Sequence, residues 1–214
     1  MRSKVTTQPA IEPVTLQELK DSLRITNSAE DTLLTQFIED ARIYCENYTG
    51  QKFITQTITA YYDNMIGELG EWWTGTRMGS VNDIYGEQHQ VLEYGPAQSI
   101  TTVHTIDQSN SETLYTSTNY YLDDFDHGMR PKMILNVGSS ITTNLRPKNN
   151  VKIVYVAGYG DAGSDVPSAI RRSILVMAGQ IYANRGDCNG ECAEECGAHR
   201  MLEQYRYKNT HAVR

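Results

Sequence analysis

The 214-residue sequence predicts an α+β protein, a helical bundle made from its two ends with an antiparallel β-sandwich inserted between them. Three observations predict it. Apolar residues recur every three or four positions before residue 50 and after residue 163. Between these segments the period changes to two, in short runs rich in β-branched and aromatic residues. Glycines stand at both changes, Gly50 on the way in and Gly158, Gly160 and Gly163 on the way out. The expected division is therefore 1–52 with 163–214 for the helical body and 53–162 for the insert.

After the leader "QPAIEPVT", Thr15 is placed to cap a short helix, and Glu18 three residues on completes a capping-box pattern. Leu16, Leu19 and Leu23 share one face of it. "ITNSAED" breaks that helix. Asn27 or Ser28 is the expected cap of the next one, where Glu30 and Asp31 suit the positive end of the dipole. From Thr32 to Tyr48 the stripe reads Leu34, Phe37, Ala41, Tyr44 and Tyr48, and Gly50 ends it. Cys45, next to Tyr44, is assigned to core packing.

Strands are expected from "FITQTITAYYD" onward, at roughly 53–62, 90–94, 100–107, 112–116, 119–123, 132–137 and 150–157. Their short, regular spacing suits a sandwich or small barrel. Residues 64–88 carry five glycines and no period, and are expected to form a protruding loop. The last strand, "VKIVYVAG", is almost continuously apolar. Ser164 or Asp165 is then expected to cap a helix with Pro167 in its first turn and a stripe of Ile170, Ile174, Met177 and Ile181.

Composition excludes several classes. No stretch approaches the ~20 apolar residues a membrane span needs, and two basic residues in "MRSKVTTQPAIEPVT" are followed by no apolar run. The chain reads as a soluble product of the cytoplasm with reduced thiols. A net charge of −7 argues against a protein that grips nucleic acid through its phosphates. No G-x-S-x-G, H-E-x-x-H, P-loop or G-x-G-x-x-G pattern is present, so neither an enzyme nor a cofactor is expected.

The pieces "PVTLQELKDSLRI", "EDTLLTQFIEDARIYCENYTGQKFITQT", "VKIVYVAGYGDAGSDVPSAIRRSILVMAGQIYANRG" and "MLEQYRY" occur in this order over most of the chain. In that order and spacing the sequence resembles the head-tail connector (adaptor, or head-completion) family of tailed bacteriophages, in its long form with a β insertion. The most specific part is the turn Ala157-Gly158-Tyr159-Gly160, followed by Val166-Pro167 and an amphipathic helix. The resemblance implies a structural protein of the virion neck. It implies a ring, commonly of twelve copies, that sits under the portal protein, extends the DNA channel and offers a surface to tail or stopper proteins. Double-stranded DNA would pass through without specific binding, and an acidic wall would let it slide.

Candidate site residues fall into five groups. Arg171 and Arg172 stand near a helix start, where cations oppose the dipole. They point either to an acidic partner or to neutralisation by Asp161 and Asp165. In the tail, Arg200, Tyr205, Arg206, Tyr207, Lys208 and Arg214 resemble the segment expected to reach the portal or a neighbouring subunit. Trp72 and Trp73 in the glycine-rich loop are candidate contact residues; an alternative reading makes the β-sandwich a carbohydrate- or receptor-binding module that uses them. Cys188, Cys192, Cys196 and His199 have zinc-ligand chemistry but not the paired spacing of a zinc knuckle, so no metal is expected there. Asp123, Asp124, Asp126 and His127 have the composition of a turn, although a metal-dependent hydrolase would use such groups.

Overall fold

The computed structural model describes residues 2–63, 89–124, 130–136, 139, 145–184 and 197–207. The fold is α+β, with two antiparallel sheets and a helical body. It divides into a sheet unit, Met1–Gln8 with Gln56–Ala157, and a helical unit, Pro9–Thr55 with Gly158–Arg214.

In the sheet unit the strands are β1 (Arg2–Thr7), β2 (Gln56–Tyr62), β3 (His89–Val91), β4 (Ala97–Ile106), β5 (Glu112–Tyr115), β6 (Tyr120–Asp123), β7 (Lys132–Leu135) and β8 (Val151–Ala157). They form a five-stranded sheet in the order β1-β2-β8-β4-β5 and a three-stranded sheet in the order β3-β7-β6. Alternation decides which side is buried: every second residue of β2 and β8 is inside, beginning with Gln56 and Val151. Ile58, Ala60, Val103, Ile153 and Tyr155 of the large sheet share one core with Tyr120, Met133 and Leu135 of the small one. Each fully buried isoleucine there contributes about 1.5–3 kcal/mol. Tyr155 is completely buried, and its hydroxyl accepts the backbone N–H of Tyr94 at 3.1 Å. Burial holds that phenol well above its ordinary pKa.

The sheet differs from the expectation at its start. Arg2–Thr7 was expected with the helical body and instead forms β1, antiparallel to β2 with Val5 opposite Ile58. "RSKVTT" has a single apolar residue and no alternation to announce a strand; its place is set by the partner strand. Conversely, residues 53–55 lie outside β2, and Phe53 and Ile54 are buried in the helical unit.

In the helical unit, α1 (Leu16–Leu23), α2 (Asp31–Thr49), α3 (Ser168–Ala183) and α4 (Ala198–Leu202) surround Leu19, Leu34, Ile38, Ala41, Ile170, Ile174 and Leu202. The capping box forms as read: the N–H of Glu18 donates to Thr15 Oγ1 at 3.2 Å and the N–H of Thr15 to Glu18 Oε2 at 2.7 Å. Helix α2 has no side-chain cap; Asn27 accepts from the N–H of Ala29 in the preceding turn. Gly50 ends α2 at φ 73°, left-handed as a C-terminal cap requires. Before α3, Gly163–Asp165 make a 3-10 turn and Pro167 occupies the cap position, so Ser164 and Asp165 do not cap the helix.

The buried stripe of α2 runs through Leu34, Ile38, Ala41, Cys45 and Thr49, one position round from the one read off the apolar residues. Phe37 and Tyr48 pack at its margin, and Tyr44 is exposed. The cause is ionic. Arg42 and Glu46, one turn apart, are 3 % and 2 % exposed. Arg42 donates to Glu12 Oε2 at 2.7 Å and lies 3.4 Å from Glu46, whose carboxylate takes Lys52 Nζ at 2.8 Å and the N–H of Phe53 at 3.3 Å. A helix that takes this group inside must turn its apolar face to suit.

Backbone contact dictates the exit from the sheet. Gly158 has φ 139°, and a Cβ there would stand 2.6 Å from the carbonyl carbon of Ile54 and the nitrogen of Thr55. The N–H of Tyr159 donates to Phe53 O and that of Thr55 to Gly160 O, both at 3.0 Å.

Two substitutions check these statements in urea denaturation. Gly158→Ala is expected to cost about 3 kcal/mol, through strain and collision with backbone. Glu46→Leu leaves Arg42 and Lys52 without their shared counter-charge and is expected to cost ~3–5 kcal/mol, whereas making all three apolar together costs far less.

Candidate assembly surface

The C-terminal segment is held to α2 by a seam of hydrogen bonds. Gln51, 2 % exposed, donates through Nε2 to Tyr205 O at 2.7 Å and accepts the hydroxyl of Tyr159. Tyr207 N–H donates to Thr49 O at 3.0 Å, and its ring lies against Gly50, where a Cβ would be 3.5 Å away. Tyr207, read as an anchor for a partner, is therefore buried within its own chain at 5 % exposure, and Tyr205 is half-buried. The terminal stretch looked like a free tail because its partners on and just after α2 are some 150 positions away in sequence, as in the Tyr48 and Glu203 contact.

This seam presents a group of rings. His199 stacks on Tyr48 with centroids 4.2 Å apart and planes 7° from parallel, and its Nε2 lies 2.8 Å from the hydroxyl of Tyr44. Arg206 holds its guanidinium 5.1 Å from the Tyr48 ring centre and 3.9 Å from Glu203. Tyr48 donates to Glu203 Oε2 at 2.7 Å, and this bond to a carboxylate keeps its phenol above the ordinary pKa. Sequence reasoning placed Arg206 in a contact surface, read Tyr44 and Tyr48 as core, and noted zinc-ligand chemistry at His199 without expecting a metal there. The available signal was the four-residue spacing of the two tyrosines, which puts both on one helix face. Arrays of Tyr, His and Arg of this kind suit protein contacts, offering large rings with wet ends and a planar cation.

The two arginines of α3 part ways. Arg171 pairs with Glu18, the residue that closes the capping box of α1. Asp161 and Asp165 are not its partners: Asp165 accepts the N–H of Ala162 at 3.0 Å. Glu18 is held below the ordinary carboxylate pKa, first by the Thr15 N–H and then with help from the Arg171 charge. Arg172 is exposed on the same helix, as is Arg200 on α4, and among the described residues neither forms an ion pair. Lys208, Arg214, Trp72, Trp73, Asp126, His127 and the three cysteines from Cys188 to Cys196 lie outside the described residues. Asp124 is taken up locally, accepting the N–H of Ala97 at 2.7 Å. Among the described residues no three His, Cys, Asp or Glu side chains gather to hold a metal, and no helix is long and apolar enough to cross a membrane.

Comparison with known proteins bears on the same elements. Residues 13–108 match the Phage gp6-like head-tail connector protein family. The connector resemblance carried by the sequence pieces around α1, α2 and β2 thus has an independent footing. Three solved structures share the fold over the whole chain. A chain in the virion of a native gene transfer agent particle has TM-score 0.74 and 19% identity, covering 100% of this chain and 99% of its own. One in the neck of an empty particle computed with C6 symmetry has TM-score 0.73 and 20% identity; one in the neck of a native particle computed with C12 symmetry has 0.72 and 19%. Both cover 100% of each chain. No curated protein sequence matches the chain.

The Glu18 geometry predicts an acid limb. Because its carboxyl is depressed in the folded state, its contribution is present above the ordinary carboxylate pKa and is lost as pH falls through the lower folded value. Thermal melts below ~pH 4.3 should show the wild type losing stability more steeply than Glu18→Gln, which keeps a capping side chain but cannot ionise.

Proposed function

We propose that this chain is a structural head-tail connector of a tailed phage-like particle, acting by assembly and without catalysis. The observation that carries the reading is the joint match: a connector-family sequence over residues 13–108 and a neck-protein fold over all of the chain. The protein works as a ring in the virion neck. Twelve copies sit under the portal protein, prolong the DNA channel and receive a tail or stopper protein on the far side. Arg172, Arg200 and Arg206, with the Tyr44, Tyr48 and His199 rings, supply the contact chemistry on the helical unit. Lys208 and Arg214 extend the same basic segment. Duplex DNA passes without being gripped, since a chain of net charge −7 offers phosphates no collective attraction.

Electron microscopy of particles made by a phage with an early stop codon in this gene tests the reading. DNA-leaking or tailless heads beside complete free tails are expected. Normal, tailed virions would overturn it.

A further inference from the structure

The face of the five-stranded sheet turned away from its core carries a cationic hollow that the connector reading does not use. Strand register sets the residues of that face. Ser3, Ala60, Ile153 and Val103 pair in one row and include the core positions. The next row, Arg2, Tyr61, Lys152, His104 and Leu114, therefore lies on the opposite face. A hollow of about 400 Å³ opens there, bordered by Arg2, Lys4, Tyr61, Glu112 and Arg146.

Its electrostatics are one-sided. Arg146 is immobilised, with Nε and Nη2 donating to Asn149 O at 3.0 and 2.6 Å and Nη1 to Asn110 Oδ1 at 3.2 Å. Glu112, the lone acid of the lining, is matched by Lys152 at 2.8 Å, and that bond holds its carboxyl below the ordinary range. Arg2 and Lys4 are exposed, and among the described residues neither has an ionic partner. A chain of net charge −7 thus offers a pocket that seeks anions.

We propose that this hollow receives the exposed acidic face of α2 from a second copy of the chain, forming the subunit-to-subunit contact of the ring. The inference rests on the connector reading. On α2, Glu39 and Asp40 are exposed beside Ile43, which is 42% exposed, and among the described residues Asp40 has no ionic partner. Size and charge decide against DNA as the occupant. A hollow of 400 Å³ admits a few side chains rather than a duplex, and the acidic chain as a whole repels one. Cations on one patch and acids on another allow a head-to-tail contact, which closes into a ring when the rotation between copies permits. Exposed ion pairs set its register and the rate of encounter, while Ile43 supplies the apolar contact.

The test complements the stop-codon phage with variant genes and counts plaques. Arg2→Glu with Lys4→Glu should lower the titre roughly tenfold or more, with the thermal melt of the purified chain unchanged. Adding Asp40→Lys to that variant should restore most of the loss. In wild-type virions, carbodiimide should couple Lys4 to Asp40 or Glu39 of a neighbouring copy, seen as a cross-linked peptide by mass spectrometry. Full complementation by the charge-reversed variant, or no rescue by Asp40→Lys together with a Lys4 cross-link to another protein, overturns the inference. Either result leaves the connector reading standing so long as the stop codon itself prevents head-tail joining.

Discussion

The helical unit depends on a buried ionic group. Arg42, Glu46 and Lys52 lie within it at 9 % exposure or less, and Glu12 closes its outer side. Bringing such charges out of water costs several kcal/mol for each, and only close pairing and complete hydrogen bonding offset that. Glu46 meets the demand by serving three donors, Arg42, Lys52 and the N–H of Phe53. Ionic pairing of this quality tolerates little displacement. It therefore fixes where the leader before α1 runs, which way α2 faces, and where the chain turns after Gly50.

From that fixed turn the remaining parts follow. Gln51 and Phe53 are the next residues to find partners: one binds Tyr159 and the carbonyl of Tyr205, the other offers its carbonyl to Tyr159 N–H. A five-residue stretch thus determines the placement of both the exit from the sheet and the C-terminal segment. The exposed ring of Tyr44 and the half-buried ring of Tyr48 owe their position to the same rotation of α2, because a helix that buries Arg42 and Glu46 moves those tyrosines off the core face. Charge burial on one side and a ring-rich surface on the other are two results of a single choice.

Much of this was legible in the sequence, and the limits were physical. Local chemistry read well: the Thr15 and Glu18 capping box and Gly50 as a left-handed cap rest on contacts within a few residues, and the alternation of β2 and the core position of Cys45 followed from spacing. What escaped depended on distant partners. β1 has no pattern of its own and exists because β2 lies beside it. Arg171 finds its acid on α1, across 153 positions, rather than among its neighbours. Apolar spacing left the rotation of α2 open, since Ile38 and Cys45 recur as regularly as Phe37 and Tyr44 and the charged residues that decide between them are counted by periodicity as outward-facing. Tyr207, with the composition of an interface residue, is instead buried where Gly50 leaves room for its ring.

The pairing of residues 53–55 with 158–160 has a consequence for how the sheet insert is attached. The two cut ends that would remain if the sheet insert were removed are already hydrogen-bonded to each other inside the helical unit. The helical unit's own backbone ladder at that point does not draw on the insert, so the segment between behaves as a graft on a closed loop. Residues 56–157 thus enter and leave at two adjacent points, while β1 reaches the same sheet separately from the N-terminal side.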